Sequence, residues 1–146
     1  MTSPMERALE LAAEAAGRGE VPVGAVVTRG GVVVGEAGNE TVALHDPTAH
    51  AEVLAIRRAC AALGSQRLAG CDLHVTLEPC AMCAAAISFA RIGRLYFGAD
   101  DPKGGAVLHG PRFFAQPTCH HAPEVYPGIG EEEAAALLRR FFAVRR

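Results

Sequence analysis

Residue types that bind soft divalent metals occur in two short segments of this sequence. The first contains His50, and the second contains Cys80 and Cys83. Two thiolates and one imidazole form a ligand set that suits zinc. Because Cys80 and Cys83 are three positions apart, they share a face of a first helical turn, where the helix dipole favours the metal-binding thiolate. The sequence therefore predicts one zinc ion per chain, with a fourth position left for water.

Glu52 lies two residues after His50. On a helix this offset turns its side chain away from His50, so we expect Glu52 to flank the metal-bound water rather than to bind the metal. Zinc lowers the pKa of its water to about 7 and so supplies a hydroxide nucleophile. A carboxylate beside that water can take its proton and pass it to a departing amine. These residues predict hydrolytic deamination with Glu52 as the catalytic residue.

The elements that must position these residues follow from the apolar pattern and its breaks. Helices are predicted over residues 4–18, from Asp46-Pro47-Thr48 to Leu63, from Pro79 to Ala90, and from Glu131 to Arg145-Arg146. β-Branched and apolar runs predict strands over residues 21–29, 32–34, 73–77 and 95–99. Gly30-Gly31 predicts a hairpin turn, and Phe113 lies in a segment expected to be irregular apart from one helical turn. This alternation predicts a central sheet with helices on both faces.

The two metal segments also carry a family resemblance. An H-x-E segment followed by P-C-x-x-C is the signature of zinc-dependent nucleobase deaminases. Within that cytidine deaminase-like superfamily, the sequence resembles the bacterial tRNA adenosine deaminases from Glu20 to Arg146. Seven segments carry the likeness: residues 20–26, 45–52, 75–83, 90–94, 97–99, 101–106 and 136–142. Residues 111–127 differ from the usual stretch in that family.

That resemblance implies a fold, a reaction and a set of contacts. The fold would be a three-layer α/β/α arrangement with a mixed five-stranded sheet, and the protein would be a homodimer. The reaction would convert the wobble adenosine of a tRNA anticodon stem-loop to inosine. The resemblance further implies that Asn39 bonds the target base, that Val23 packs against it, and that the backbone at Ala51 steadies the reacting centre. Asp101 and Lys103 would meet the substrate's sugar and backbone.

Other readings of the cysteines and histidines remain open from the residues. A structural zinc site would need a fourth ligand such as His45, Cys71 or Cys119, but none lies at a zinc-finger or zinc-ribbon spacing. Cys119-His120-His121 could bind a second metal, although adjacent residues rarely converge on one ion. Cys60 and Cys71 are expected to be small buried apolar residues.

Two other functions also remain open. A deaminase of a free base or nucleoside (guanine, cytosine or cytidine) agrees with the formal net charge of −2, whereas residues 101–106 favour the tRNA enzyme. A non-catalytic zinc-binding module is disfavoured by Glu52 beside an open zinc position.

Length and composition limit the class of protein. The chain has 146 residues, of which 50% are hydrophobic and 21% charged, so a single globular deaminase domain over residues 1–146 is expected. No apolar run is long enough to span a membrane. Within the first twenty positions, Glu6, Arg7, Glu10 and Glu14 would interrupt the apolar core of an export signal, which argues against one. We therefore expect a cytoplasmic enzyme without a membrane partner.

Overall fold

The core of the fold is a five-stranded mixed sheet, seen in a computed structural model that describes residues 2–145. The strands are β1 (Gly24–Arg29), β2 (Val32–Gly38), β3 (Cys71–Leu77), β4 (Arg94–Ala99) and β5 (Glu124–Tyr126). Their order across the sheet is β2-β1-β3-β4-β5. β1 pairs antiparallel with β2 and β3, whereas β3, β4 and β5 run parallel. The predicted turn at Gly30-Gly31 joins β1 and β2, and both glycines have positive φ, at 57° and 79°.

Four helices cover the two faces of this sheet. They are α1 (Pro4–Gly17), α2 (Ala51–Leu63), α3 (Ala81–Ala90) and α4 (Glu131–Val144). α2 and α3 contribute to the larger apolar cluster on one face, while α1 and α4 pack with Val26 and Ala99 on the other. The predicted three-layer α/β/α fold with a mixed five-stranded sheet is confirmed.

Glycines let two helices lie unusually close to the sheet. A Cβ atom on Gly24 would stand 1.9 Å from the carbonyl oxygen of Ala8 in α1. A Cβ atom on Gly35 would stand 2.5 Å from the carbonyl oxygen of Ala55 in α2. Such distances are far below van der Waals contact, so only glycine fits at either position. The second contact places the middle of α2, at Ala55 and Ala59, directly against β2.

The start of α2 was predicted wrongly. The helix begins at Ala51 with His50 as its N-cap, not at Asp46-Pro47-Thr48. The reason is local, because the Asp46 carboxylate accepts hydrogen bonds from the backbone N–H and the hydroxyl of Thr48 and so closes a turn. His50 is left extended, at φ −71° and ψ 150°.

The other large difference lies after β4. Sequence patterning predicted four strands, and the three-residue strand β5 was not among them. The helical turn expected near Phe113 is present as a 3₁₀ turn over Phe113–Ala115. The predicted end of the last helix at Arg146 lies outside the described residues. No helix in residues 2–145 combines the length and the apolar character needed to cross a membrane.

Candidate active site

Three side chains that can bind a metal meet at the amino ends of α2 and α3. His50 is the N-cap residue of α2, Cys80 is the N-cap residue of α3, and Cys83 lies in the first turn of α3. One ligand atom from each residue lies within 4.8 Å of the other two. The His50 Nδ1 atom is 3.6 Å from the Cys80 Sγ and 3.5 Å from the Cys83 Sγ. The structure thus brings together the three residues that the sequence singled out as metal ligands.

These distances fit a tetrahedral zinc site. Zinc bonds of about 2.3 Å to sulfur and about 2.0–2.1 Å to nitrogen place neighbouring tetrahedral ligands about 3.6 Å apart. The extended N-cap conformations of His50 and Cys80 direct both side chains to one point ahead of the helices. Two sulfurs and one nitrogen leave one tetrahedral position for a reactant. The residues present therefore fit a catalytic zinc ion.

Hydrogen bonding within the cluster divides the two thiols into unlike groups. The pKa of Cys80 falls to about 4, chiefly because Cys83 and then His50 donate hydrogen bonds to its thiolate. The pKa of Cys83 is raised, because its thiol donates to Cys80 and is buried. The hydrogen bond to Cys80 also raises the pKa of His50. A divalent cation at this point would satisfy all three groups at once by replacing the shared protons.

Glu52 is the second residue of α2, and only 4% of the residue is exposed. Its carboxyl oxygens are not part of the 4.8 Å ligand cluster formed by His50, Cys80 and Cys83. Burial raises the pKa of Glu52 to about 7. A carboxyl group that exchanges its proton near neutral pH beside a metal cluster has the properties of a general acid and base.

Asn39 connects the end of β2 to the start of α2. Its side-chain oxygen accepts a hydrogen bond of 2.7 Å from the backbone N–H of Ala51, and its side-chain nitrogen donates to the carbonyl of Val21 at 3.1 Å. The amide nitrogen carries a second N–H group that can still meet a ligand. Val23, which precedes β1, is 5% exposed and packs in the larger core cluster. The base contacts expected of Asn39, Val23 and Ala51 stay predictions.

Asp101 and Lys103 lie together in the loop that follows β4. The Asp101 carboxylate accepts hydrogen bonds from the backbone N–H groups of Lys103 at 3.2 Å and Gly104 at 3.0 Å. Lys103 is exposed. Asp101 therefore shapes its own loop, and the expected contacts of both residues with substrate stay predictions.

Two buried carboxylates near the site were missed by the sequence analysis. Glu78 directly follows β3 and has a fully buried side chain, and Glu20 precedes β1 with 1% of the residue exposed. Burial opposes ionisation of Glu78, but hydrogen bonds from Asp101, His109 and neighbouring backbone groups outweigh it and lower its pKa. Glu20 accepts hydrogen bonds from the backbone of Val42 and Ala43. The only signal in the sequence is that each glutamate stands directly beside a strand-like apolar run, a position that a solvent-exposed residue at a strand end would share.

The competing metal readings find no support within residues 2–145. None of His45, Cys71 and Cys119 joins the ligand cluster. Cys71 is buried in the core. The Cys119 thiol donates to the carbonyl of His121, whose ring bonds the carbonyl of Ile92. The three residues 119–121 therefore do not converge on a common point.

Comparison with known proteins assigns the family. The model of the MafB19-like deaminases matches residues 2–121. A tRNA-specific adenosine deaminase of Agrobacterium fabrum is 63% identical over 142 residues, which are 97% of this chain and 93% of that protein. The tRNA-specific adenosine deaminase of Aquifex aeolicus is 45% identical over 137 residues, covering 92% and 89% of the two chains.

Solved structures give the same answer at the level of the fold. A structure from studies of A-to-I editing by tRNA:A34 deaminases at the wobble position has a TM-score of 0.91 and 63% identity, covering 92% of this chain and 98% of that chain. A guanine deaminase from Nitrosomonas europaea has a TM-score of 0.81 and 26% identity, covering 98% and 86%. The fold and site thus define an enzyme of the cytidine deaminase-like class. Within this class, the chain belongs to the family of the tRNA-specific adenosine deaminases.

Proposed function

We propose that this chain hydrolyses the wobble adenosine of a tRNA anticodon to inosine and ammonia. The observation that carries the proposal is the cluster of His50, Cys80 and Cys83, with the buried Glu52 on the same helix, in a chain 63% identical to a tRNA-specific adenosine deaminase over 97% of its length. A wobble base belongs to a loop, where unstacking it costs a few kcal/mol at most. The proposal places the protein in the cytoplasm with its substrate.

His50, Cys80 and Cys83 would hold one zinc ion per chain. Zinc in a site of this kind lowers the pKa of water and supplies a nucleophile at neutral pH. Glu52 would take a proton from the attacking water and deliver it to the departing amine. A bond forms between C6 and the water oxygen, and the bond between C6 and the exocyclic nitrogen breaks. One water proton leaves with ammonia, and the other ends on N1 of the ring, so the atoms balance.

Contacts outside the reacting centre would position the substrate. One N–H group of the Asn39 amide donates to the carbonyl of Val21, and the second N–H group would donate a hydrogen bond to the base. Val23 would pack against the base, and the Ala51 backbone, fixed by Asn39, would steady the reacting centre. The loop after β4 would place Asp101 and Lys103 against the sugar and backbone of the anticodon stem-loop.

The decisive test of the substrate compares tRNA with free compounds. The purified protein is incubated with a tRNA transcript carrying a wobble adenosine, and the product is sequenced for inosine. We expect conversion at that position only, because a base presented by a folded loop is held in register by contacts beyond the base. The matched control is the same transcript with guanosine at the wobble position, which should release no ammonia.

The second candidate function is deamination of a free base or nucleoside. It is supported by the likeness to the structure of a guanine deaminase at 26% identity. Ammonia release is therefore also measured from guanine, cytosine, cytidine and adenosine. Rapid release from any of these with the tRNA unchanged would reject the proposed substrate while leaving the proposed zinc chemistry in place.

We further propose a homodimer in which α3 faces its copy. Phe89 on α3 is 72% exposed, and it lines an open groove with Ile56, Ala86 and Arg91. An aromatic side chain this exposed is typical of a surface that a partner covers. The family resemblance makes the partner a second copy of the chain.

Phe89→Glu should convert this dimer to a monomer, because the introduced charge would be buried without a partner. Light scattering after size-exclusion chromatography measures the mass at micromolar concentration. Phe142→Glu is the matched control, since Phe142 is an exposed aromatic residue (46%) on α4, in the opposite helical layer. A wild-type protein that elutes as a monomer would contradict the proposal.

A further inference from the structure

The Glu78 carboxylate is surrounded by hydrogen-bond donors from one loop. Its Oε1 atom accepts from the backbone N–H of Asp101 at 2.9 Å and contacts the Nδ1 atom of His109 at 2.8 Å. Its Oε2 atom accepts from the backbone N–H groups of Val107, Leu108 and His109 at 3.1, 2.9 and 3.1 Å. Both oxygens are thus used, and the side chain is fully buried.

The loop over residues 101–109 is built closely around this carboxylate. A Cβ atom on Gly105 would stand 2.5 Å from the Glu78 carboxyl group and 2.5 Å from the carbonyl oxygen of Asp101. The backbone N–H of Ala106 donates to the carbonyl of Pro79 at 2.9 Å. Glu78 and Pro79 therefore hold both ends of the loop, and Gly105 provides the space that the carboxylate needs.

The position of Glu78 links this loop to the candidate metal ligands His50, Cys80 and Cys83. Glu78 lies two residues before Cys80, and the loop it holds carries Asp101 and Lys103. A shift of the loop relative to Cys80 would move both of these residues relative to the reacting centre. Groups far from the reacting atoms influence a reaction through such positioning, and a misplacement of about 1 Å can be costly.

We propose that Glu78 is a positioning residue that fixes the 101–109 loop against the metal-binding end of α3 for tRNA binding. This inference rests on the proposed tRNA function. It assigns Glu78 a role in placing substrate contacts, in addition to the stability that any satisfied buried carboxylate gives. The carboxylate itself touches neither substrate nor metal.

The test replaces Glu78 by glutamine. The glutamine side chain has nearly the same volume as glutamate but only one oxygen. Its NH₂ group replaces the other oxygen and would face backbone N–H groups, to which it cannot act as an acceptor. Hydrogen bonds to a charged acceptor are stronger than neutral ones, so we expect amide exchange within residues 101–109 to accelerate about tenfold or more. Exchange is read amide by amide by NMR, with zinc content measured on the same sample.

Kinetics then separate positioning from simple stabilisation. We expect the KM for tRNA to rise about tenfold with kcat nearly unchanged, since contacts remote from the reacting atoms contribute uniform binding. Glu20→Gln is the matched comparison, because Glu20 is an equally buried carboxylate that holds residues 41–43 instead. It should accelerate exchange in residues 41–43 and leave residues 101–109 protected.

Gly105→Ala is the second variant, and it keeps the inference testable if Glu78→Gln does not fold. It displaces the loop from the carboxylate without changing any charge, so it should produce the same exchange and KM changes. Unchanged exchange in residues 101–109, unchanged KM despite faster exchange, or loss of zinc from both variants would each overturn the inference. A wild-type enzyme inactive on tRNA would instead reject the proposed function, and the two failures are thereby distinguished.

Discussion

Glu52→Gln and Glu52→Ala should each lose turnover on tRNA while retaining the fold and the zinc ion. General acid and base catalysis contributes about 10²–10⁴ in rate, so we expect kcat to fall by a factor in that range. The reason is that neither the amide of glutamine nor the methyl group of alanine can carry a proton from the attacking water to the departing amine. Zinc should remain at one ion per chain, because the Glu52 oxygens lie outside the ligand cluster.

Glutamine is the sharper of the two Glu52 substitutions. Glu52 is 4% exposed, so alanine would also leave a cavity, whereas glutamine preserves the volume. Glu36→Gln is the control, since Glu36 is a half-buried carboxylate on β2 whose partner is Arg7 on α1. It should turn over at a rate near that of the wild type. Simultaneous loss of zinc and activity in Glu52→Gln would show that Glu52 binds the metal, contrary to the prediction.

The three residues of the candidate metal site could be identified from the sequence, because they are recognisable by residue type and short spacing. Cys80 and Cys83 lie within one helical turn, and each motif is short enough to be read locally. The helices were predictable because burial on one face imposes a period on their apolar residues, and the four longer strands were predictable from runs of β-branched and apolar residues. The local pattern therefore predicts which residues are candidate ligands and which helices and strands carry them.

Features that depend on distant partners could not be read in this way. β5 has only three residues, and Val125 is placed by its parallel pairing with Leu95 on β4, thirty positions earlier in the chain. The start of α2 was predicted too early in the chain because Asp46 can cap either a helix or a turn. Only the structure shows that it closes a turn. Such short or ambiguous segments carry too little periodic signal to decide between outcomes.

The role of Glu78 was hidden for the same physical reason. A glutamate after Val75-Thr76-Leu77 could as well have been a solvent-exposed strand end. Its burial is possible only because a loop more than twenty residues later returns with its N–H groups. Sequence patterns identify residues that do chemistry more readily than residues that hold the chemistry in place.

Cys80→Ala should remove most of the zinc and should reduce turnover more than the Glu52 substitutions do. Removing one of three protein ligands leaves only His50 and Cys83 to hold the ion, and even indirect supports of a metal ligand change affinity by about 10–100-fold. Cys80 is a better choice than Cys83, because Cys83 is fully buried and its truncation would also disturb the core. Zinc per chain is measured by elemental analysis after extensive dialysis.

Cys119→Ala is the matched control for this experiment. Cys119 is also a half-buried free cysteine, but its thiol contacts Ser88 and the carbonyl of His121 rather than the ligand cluster. It should keep one zinc ion per chain and full activity, which excludes a general effect of cysteine loss. Because bound metal stabilises the folded state by mass action, the Cys80→Ala protein should also melt at a lower temperature that added zinc restores only weakly. Equal zinc content in Cys80→Ala and Cys119→Ala would show that the ion, if present, is held elsewhere.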